Sequence, residues 1–212
     1  MRMTGQGDFD PDTVIDFWFG DLTERSMPPE GGKIAIRWFG KDDATDADIR
    51  EKFAALHDRL AADVASGWVP QDLTTRLAAV IALDQFPRNM FRGSPKMYES
   101  DPQALKLARL SLDDKSAEKL DLYRAMFLFM PLMHSEEVDD QRMMIKIYGQ
   151  LRDSAKARNL GCHPFFEMGY NMAARHLEIV ERFGRFPHRN PILGRQTTVQ
   201  EAEFLKEELS SF

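Results

Sequence analysis

Residues 73–93, LTTRLAAVIALDQFPRNMFRG, decide how this chain is read. Leu73, Leu77, Val80 and Ile81 recur at helical spacing after Asp72, whose short acidic side chain suits a helix start. The stretch therefore begins as a buried helix, the fourth of the chain. It then runs into an acid, an amide and Phe86-Pro87, followed by Arg88-Asn89. Proline disfavours helical geometry at the residue before it, so this helix is predicted to end at about Gln85. Asp84, Gln85, Arg88 and Asn89 then flank that end.

Helical periodicity continues on both sides. Upstream, Asp10 and Pro11 open a first helix carrying Val14, Phe17 and Trp18 on one face. KIAIRWFG (33–40) is a short second helix ending at Gly40. A third, capped by Thr45, carries Ile49, Phe53, Leu56, Leu60 and Val64 and stops at Gly67. Downstream, Asp101 as cap and Pro102 at the first position open a fifth. A sixth covers roughly 117–133, with Pro131 kinking it or sitting in its last turn. The seventh follows Ser135 as cap and carries Met143, Ile147 and Leu151. The eighth begins near Pro164, carries Phe165, Met168, Met172, Ile179, Val180 and Phe183, and stops at Gly184. The ninth opens with a capping box, Thr198 to Glu201, before Phe204, Leu205 and Leu209.

No alternating stretch rich in β-branched residues competes with these helices. The fold class is all-α: an irregular array of about nine helices, arranged as antiparallel hairpins because the connections are short. A length of 212 residues suits a single domain, 1–212. The return of Phe-Pro at Phe186-Pro187 raises the alternative of two related halves, 1–112 and 113–212.

Composition narrows the function. The formal net charge is -6, from 28 Lys and Arg against 34 Asp and Glu, which disfavours general nucleic-acid binding. A single cysteine, Cys162, excludes an intrachain disulfide and a cysteine-based zinc cluster and points to a reducing compartment. The start, MRMTGQGDFD, lacks the apolar stretch of a signal peptide. The longest strongly apolar run, AMFLFMPLM (125–133), falls far short of the ~20 residues of a membrane helix. A cytoplasmic protein with no membrane contact is expected.

Topology then gathers the polar segments. If successive helices alternate up and down, the C-terminal ends of the fourth, sixth and eighth lie on one edge. They are DQFPRN (84–89), MHSE (133–136) and RFGRFPHRN (182–190). The rim so formed offers Asp84, Gln85, Arg88, Asn89, His134, Glu136, Arg185, His188, Arg189 and Asn190 as candidate ligand-binding residues. Arginine grips carboxylate or phosphate through paired donors. Histidine titrates nearest neutral pH, so His134, His176 and His188, with Asp84, are the candidate proton-transfer groups. The plainer reading is that cations cap the negative ends of helices and staple neighbouring loops. Three segments that each combine cations with Asn or acid exceed what capping requires.

The same segments carry a resemblance. FWFG (17–20), LDQFPRN (83–89), PLMHSE (131–136) and RFGRFPHRN-PILGRQTT (182–198) together resemble the bacterial domain-of-unknown-function family 924, from about Val14 to Leu205. That resemblance implies an all-helical fold of the tetratricopeptide-like superfamily and implies no reaction.

Three functions stand in order. The first is a helical protein binding a small anionic ligand at the rim, with Arg88, Arg185 and Arg189 holding the anion. The second is a protein or peptide interaction scaffold, using the concave face of stacked hairpins. The third is a metal-dependent hydrolase using His134, Glu136 and His176. No HExxH pair fixes two ligands on one helical face, so no metal or other cofactor is expected. Neighbouring Cys162 and His163 do not supply a nucleophile with its base, and no phosphate loop or GxSxG is present. Phe127, Phe129, Phe165 and Phe166, with the surrounding methionines, suit packing between helices better than a pocket. Whether binding is accompanied by catalysis is open at this point, as is the oligomeric state.

Overall fold

Asp10 caps the first helix of the computed structural model, which describes residues 9–212. Of the stretch MRMTGQGDFD (1–10), on which the expectation of no signal peptide rests, residues 1–8 lie outside the described residues. Helix α1 is Pro11–Phe19, α2 is Lys33–Phe39 and α3 is Asp43–Ala65. Helix α4 has three parts: Leu73–Val80 is α-helical, Ile81–Gln85 is a π-helical turn, and Phe86–Met90 is α-helical again. There follow α5 (Asp101–Leu112), α6 (Leu122–His134), α7 (Val138–Ala157), α8 (His163–Phe183) and α9 (Val199–Phe204). Short 3-10 turns occupy Pro95–Tyr98, Lys115–Lys119 and Pro187–Arg189. The described residues thus form an all-α fold of nine helices without a strand.

Helix α4 is the axis. It packs against α1, α3, α5 and α6, and residues 76–87 are buried without a break. A helix apolar on all sides belongs inside a protein, and LAAVIAL meets that description. Phe86 anchors the aromatic core beside it, with ring centroids 4.5 Å from Phe53 and 5.7 Å from Trp18. Trp18 lies 5.5 Å from Phe127, and Trp38 lies 4.7 Å from the same ring. Truncating a buried Phe of this kind costs about 3–5 kcal/mol.

Pro87 does not end α4, contrary to the sequence expectation. Phe86 keeps helical dihedrals (φ -59°, ψ -39°), and the strain is taken up one turn earlier. The Phe86 amide reaches back five residues to the Ile81 carbonyl. Pro87 has no N–H for the Leu83 carbonyl four residues before it. Ser100 Oγ donates to that carbonyl instead, at 2.6 Å. The second Phe-Pro is a different device. Helix α8 stops at Gly184, which is left-handed (φ 66°), and Pro187 opens a 3-10 turn in the loop beyond.

Other helix ends shift for stated reasons. Asp42, not Thr45, caps α3, its carboxylate accepting from the Thr45 amide at 2.8 Å. Ser100, not Asp101, is the cap position of α5, because the Asp101 carboxylate is engaged with Arg88. Helix α6 starts at Leu122, after Asp121 accepts the Tyr123 and Arg124 amides. Pro131 sits in its last turn. Ser135 accepts the Glu137 amide and so caps the turn ahead of α7 rather than the helix itself.

Helices α6, α7 and α8 pack in succession through short joints, as antiparallel neighbours do. The α7–α8 contact is close at Gly169, where a Cβ would stand 2.3 Å from Tyr148 Cε1. Met168 therefore points outward, 61% exposed, and the buried face of α8 is Phe166, Ala173, His176, Ile179 and Val180. Ile179 and Val180 join Phe186 and Phe204 in a small second cluster that fixes α9 and the 187–189 turn. No helix among the described residues is long and apolar enough to cross a membrane.

Candidate functional site

The π turn places Asp84 where the sequence gives it no apolar excuse: its side chain has no exposure to solvent. π turns inside α-helices occur frequently at functional sites. His134, last residue of α6, sets its Nδ1 2.7 Å from Asp84 Oδ1. Gln85 donates its side-chain amide to Asp84 Oδ2. Arg88 lies one turn on, its guanidinium 3.4 Å from Asp84 Oδ1 and hydrogen-bonded to the Asp84 carbonyl. The same guanidinium forms a two-bond pair with Asp101, at 2.8 and 3.0 Å.

These contacts set the protonation states. Burial alone would push the Asp84 carboxyl up, but Arg88, His134 and two side-chain hydrogen bonds hold it below the usual carboxylate range. Burial, and then the Arg88 charge, push the His134 imidazole down, against the pull of Asp84. At neutral pH the stable arrangement is an ionised Asp84 and a neutral His134, with Arg88 as the permanent cation beside both. The carboxylate then fixes His134 as the Nδ1–H tautomer. Nε2 keeps its lone pair, has no hydrogen-bond partner among the described residues, and belongs to a ring that retains 17% exposure.

Arg189 comes to the same place from the 3-10 turn after α8. It is 8% exposed, and its guanidinium makes no hydrogen bond among the described residues. Its nearest carboxylate is Asp101, 3.9 Å away and already paired to Arg88. Desolvation and the like charge of Arg88 weaken its hold on its proton. Two rings flank it, Tyr98 at 4.7 Å and Phe186 at 4.6 Å. His176 and His188 lie alongside. His176 Nδ1 bonds the Met172 carbonyl at 2.9 Å, and its ring stacks on Phe212 at 3.8 Å. Burial lowers His176 to about 3 and His188 to about 4. Both rings pack on Phe186, with centroids at 5.4 and 5.7 Å, on the ring that also carries Arg189.

Of the sequence-predicted residues, the structure brings together Asp84, Gln85, Arg88, His134, His176, His188 and Arg189. Others serve the frame. Asn89 turns to α3 and donates to Asp46 beside Arg92, at 3.0 Å. Arg185 pairs with Glu201 at 2.6 Å and so ties the loop to α9. Asn190 is fully buried, 3.4 Å from Thr197 Oγ1. Glu136 accepts two bonds from Arg195 and one from the Phe186 amide, which docks the 186–195 loop on the α6–α7 joint. Glu136 is thereby occupied, and no group of three or more His, Cys, Asp or Glu among the described residues is placed to hold a metal ion.

Sequence reasoning missed Asp101, Tyr98 and Phe212. Asp101 looked like a helix cap, and nothing in its spacing from Arg88 betrays the pair. Two surface depressions, of about 430 and 300 Å³, lie elsewhere, along the outer side of α5 and beside Asn159–Pro164. Neither gathers buried polar groups, so concavity and chemistry part company here. The rings of Tyr98 and Phe212, both partly exposed, lie over Arg189 and His176 and close the polar cluster.

Residues 14–208 match the family described as "Bacterial protein of unknown function (DUF924)". A solved structure titled as a protein of unknown function, ATU0120 from Agrobacterium tumefaciens, is similar at 31% identity with a TM-score of 0.69. The similarity covers 92% of this chain and 96% of that one. No curated protein matches.

Proposed function

The chain belongs to the DUF924 family of bacterial proteins, and on its geometry we propose that it binds a small anionic ligand where α4, the α6–α7 joint and the 187–189 turn meet. Arg189 is the anion-binding group. His134, oriented by Asp84, is the group that exchanges a proton with the ligand or its surroundings. The observation that carries this reading is the state of Arg189: among the described residues its guanidinium makes no hydrogen bond, its Nε is buried, and its ion-pair carboxylate, Asp101 at 3.9 Å, is already committed to Arg88. Buried charges in folded proteins are paired or hydrogen-bonded, because leaving them otherwise is costly. A cation held in that condition by packing is suited to receive an oxyanion through paired donors.

Thermal melts with sulfate, phosphate and small carboxylates test it. A ligand at a hundred times its Kd stabilises by about 2.7 kcal/mol. For a chain of this size that raises Tm by about 5–11 °C. Arg189→Met should abolish the shift. A shift that survives Arg189→Met, or none with any of these anions, removes the proposal.

A further inference from the structure

Charge balance says how the cluster takes an anion. In number, the charges of Arg88 and Arg189 are balanced by Asp84 and Asp101, and the neighbouring Glu136–Arg195 pair closes on itself with bonds of 2.6 and 3.0 Å. With its three histidines neutral, the cluster is close to zero net charge before any ligand arrives. An oxyanion bound there would leave uncompensated negative charge among largely buried groups, where such charge is expensive. A proton taken up on an adjoining base offsets one unit of it.

Only one of the three imidazoles is built to take that proton. His134 already has a carboxylate on Nδ1, so protonating Nε2 yields an imidazolium backed by Asp84. His176 gives Nδ1 to a backbone carbonyl and lies under Phe212. His188 has its Nδ1 buried without a partner and makes no ion pair among the described residues, with Glu136 the carboxylate acting on it and already bound to Arg195. The other charges near His134 are Arg88 on its own side and Asp101 beyond it. Arg88 opposes protonation, and an anion bound at the guanidiniums cancels that opposition.

We infer that the oxyanion, free or as the end group of a larger molecule, binds together with one proton carried by His134 Nε2. The inference rests on the anion-binding reading above. The new bond is N–H at Nε2, and the proton comes from solvent. Binding is then tightest at low pH and weakens by up to tenfold for each unit of pH rise between the free and the bound pKa of His134.

Sulfate is the deciding probe, because it carries no titratable proton of its own near neutrality. Calorimetric titration of the protein with sodium sulfate, at constant ionic strength and pH 7, is run in buffers of different ionisation enthalpy and repeated from pH 5.5 to 8. Uptake approaching one proton per sulfate is expected, with affinity falling as pH rises. In His134→Gln, sulfate still binds but uptake drops towards zero and the pH dependence flattens. Side-chain ¹⁵N shifts place the proton on His134 rather than on His176 or His188. Binding without proton uptake overturns this inference and leaves the anion site standing. Undiminished uptake in His134→Gln overturns it as well. Absence of sulfate binding at every pH removes the anion site and the inference with it. A parallel titration with phenyl phosphate separates the two ligand forms: tighter binding than sulfate marks an end group, and equal or weaker binding marks the free ion.

Discussion

Replacing Arg189 by Met removes a charge and keeps most of the aliphatic stem. Arg189 makes no hydrogen bond, and unsatisfied buried donors cost about 1–3 kcal/mol. Against that, its two flanking rings contribute about 0.5–1 kcal/mol each as cation–π contacts. The terms nearly cancel, so Arg189→Met should change stability by no more than about 1 kcal/mol in either direction, within the range of neutral substitutions. Arg88 is the contrasting case one turn from Asp84. Arg88→Met leaves Asp84 without its permanent cation and Asp101 without two short bonds. Breaking a buried pair from one side costs about 3–5 kcal/mol. Urea denaturation at pH 7.5 separates them: the midpoint of Arg189→Met stays near that of the wild type, and that of Arg88→Met falls steeply with little change in slope. If the two variants lose stability equally, Arg189 is a structural staple and the reasoning behind the anion site fails.

Stability should fall between pH 7 and pH 4, read as a falling urea midpoint. His176 and His188 are held near 3 and 4 by burial, whereas unfolded histidines protonate near 6.5; the unfolded chain therefore binds more protons in this window, and each histidine contributes a slope of up to about 1.4 kcal/mol per pH unit. The contribution of Asp84 has the carboxylate sign: present above the ordinary carboxylate pKa, and lost only as pH falls through its lowered folded value. Gly169→Ala should lower stability by about 1–3 kcal/mol from the clash with Tyr148, partly offset by better helix propensity, and a melt that rises would contradict the close α7–α8 approach. Ser100→Ala strips the Leu83 carbonyl and the His57 ring of their shared hydroxyl and should cost about 1–3 kcal/mol in the same assay. Phe212→Ala should uncover His176 and raise its reactivity with an imidazole-modifying acylating reagent, followed by mass spectrometry.

The helices were readable because their signals are local. Capping side chains, proline at first turns and apolar spacing fix where α1 and α9 begin, and α3 is capped three residues ahead of the cap read for it because Asp42 takes the Thr45 amide. The faces were less so: Met168 fits a stripe with Phe165 and Met172 on paper, yet Gly169 sets the helix rotation by admitting the Tyr148 ring. The course of α4 through Pro87 was not readable at all. The usual penalty of proline in a helix assumes that the carbonyl four residues back stays unmatched, and here a serine thirteen residues downstream matches it. The polar neighbourhood was legible as three segments, since short joints between antiparallel helices deliver alternate ends to one edge. Its internal pairing was not. The roles of Arg88, Arg185 and Arg189 look alike in sequence and differ in the fold by which carboxylate each one meets.

Pro87, Ser100 and Arg88 form one connected arrangement, and it explains why Arg189 stays without a hydrogen bond among the described residues. Without an N–H at Pro87 the Leu83 carbonyl needs an outside donor, and Ser100 supplies it. That bond fixes the chain just ahead of α5, so the next residue, Asp101, is delivered to Arg88 at hydrogen-bond distance. Arg88 also turns back to the Asp84 carbonyl within the same helix. Three groups that would otherwise compete for Arg189 are thereby committed: Asp101 to Arg88, Asp84 to His134 and Arg88, and Glu136 to Arg195. The loop that carries Arg189 is held independently, through the Glu136 contact with the Phe186 amide and the burial of Phe186. The guanidinium is thus positioned by its backbone and by two rings rather than by its own charge. Local rules of structure are broken chiefly at functional sites, and a guanidinium held without a hydrogen bond of its own, its nearest carboxylate committed elsewhere, is the group that an incoming oxyanion would complete.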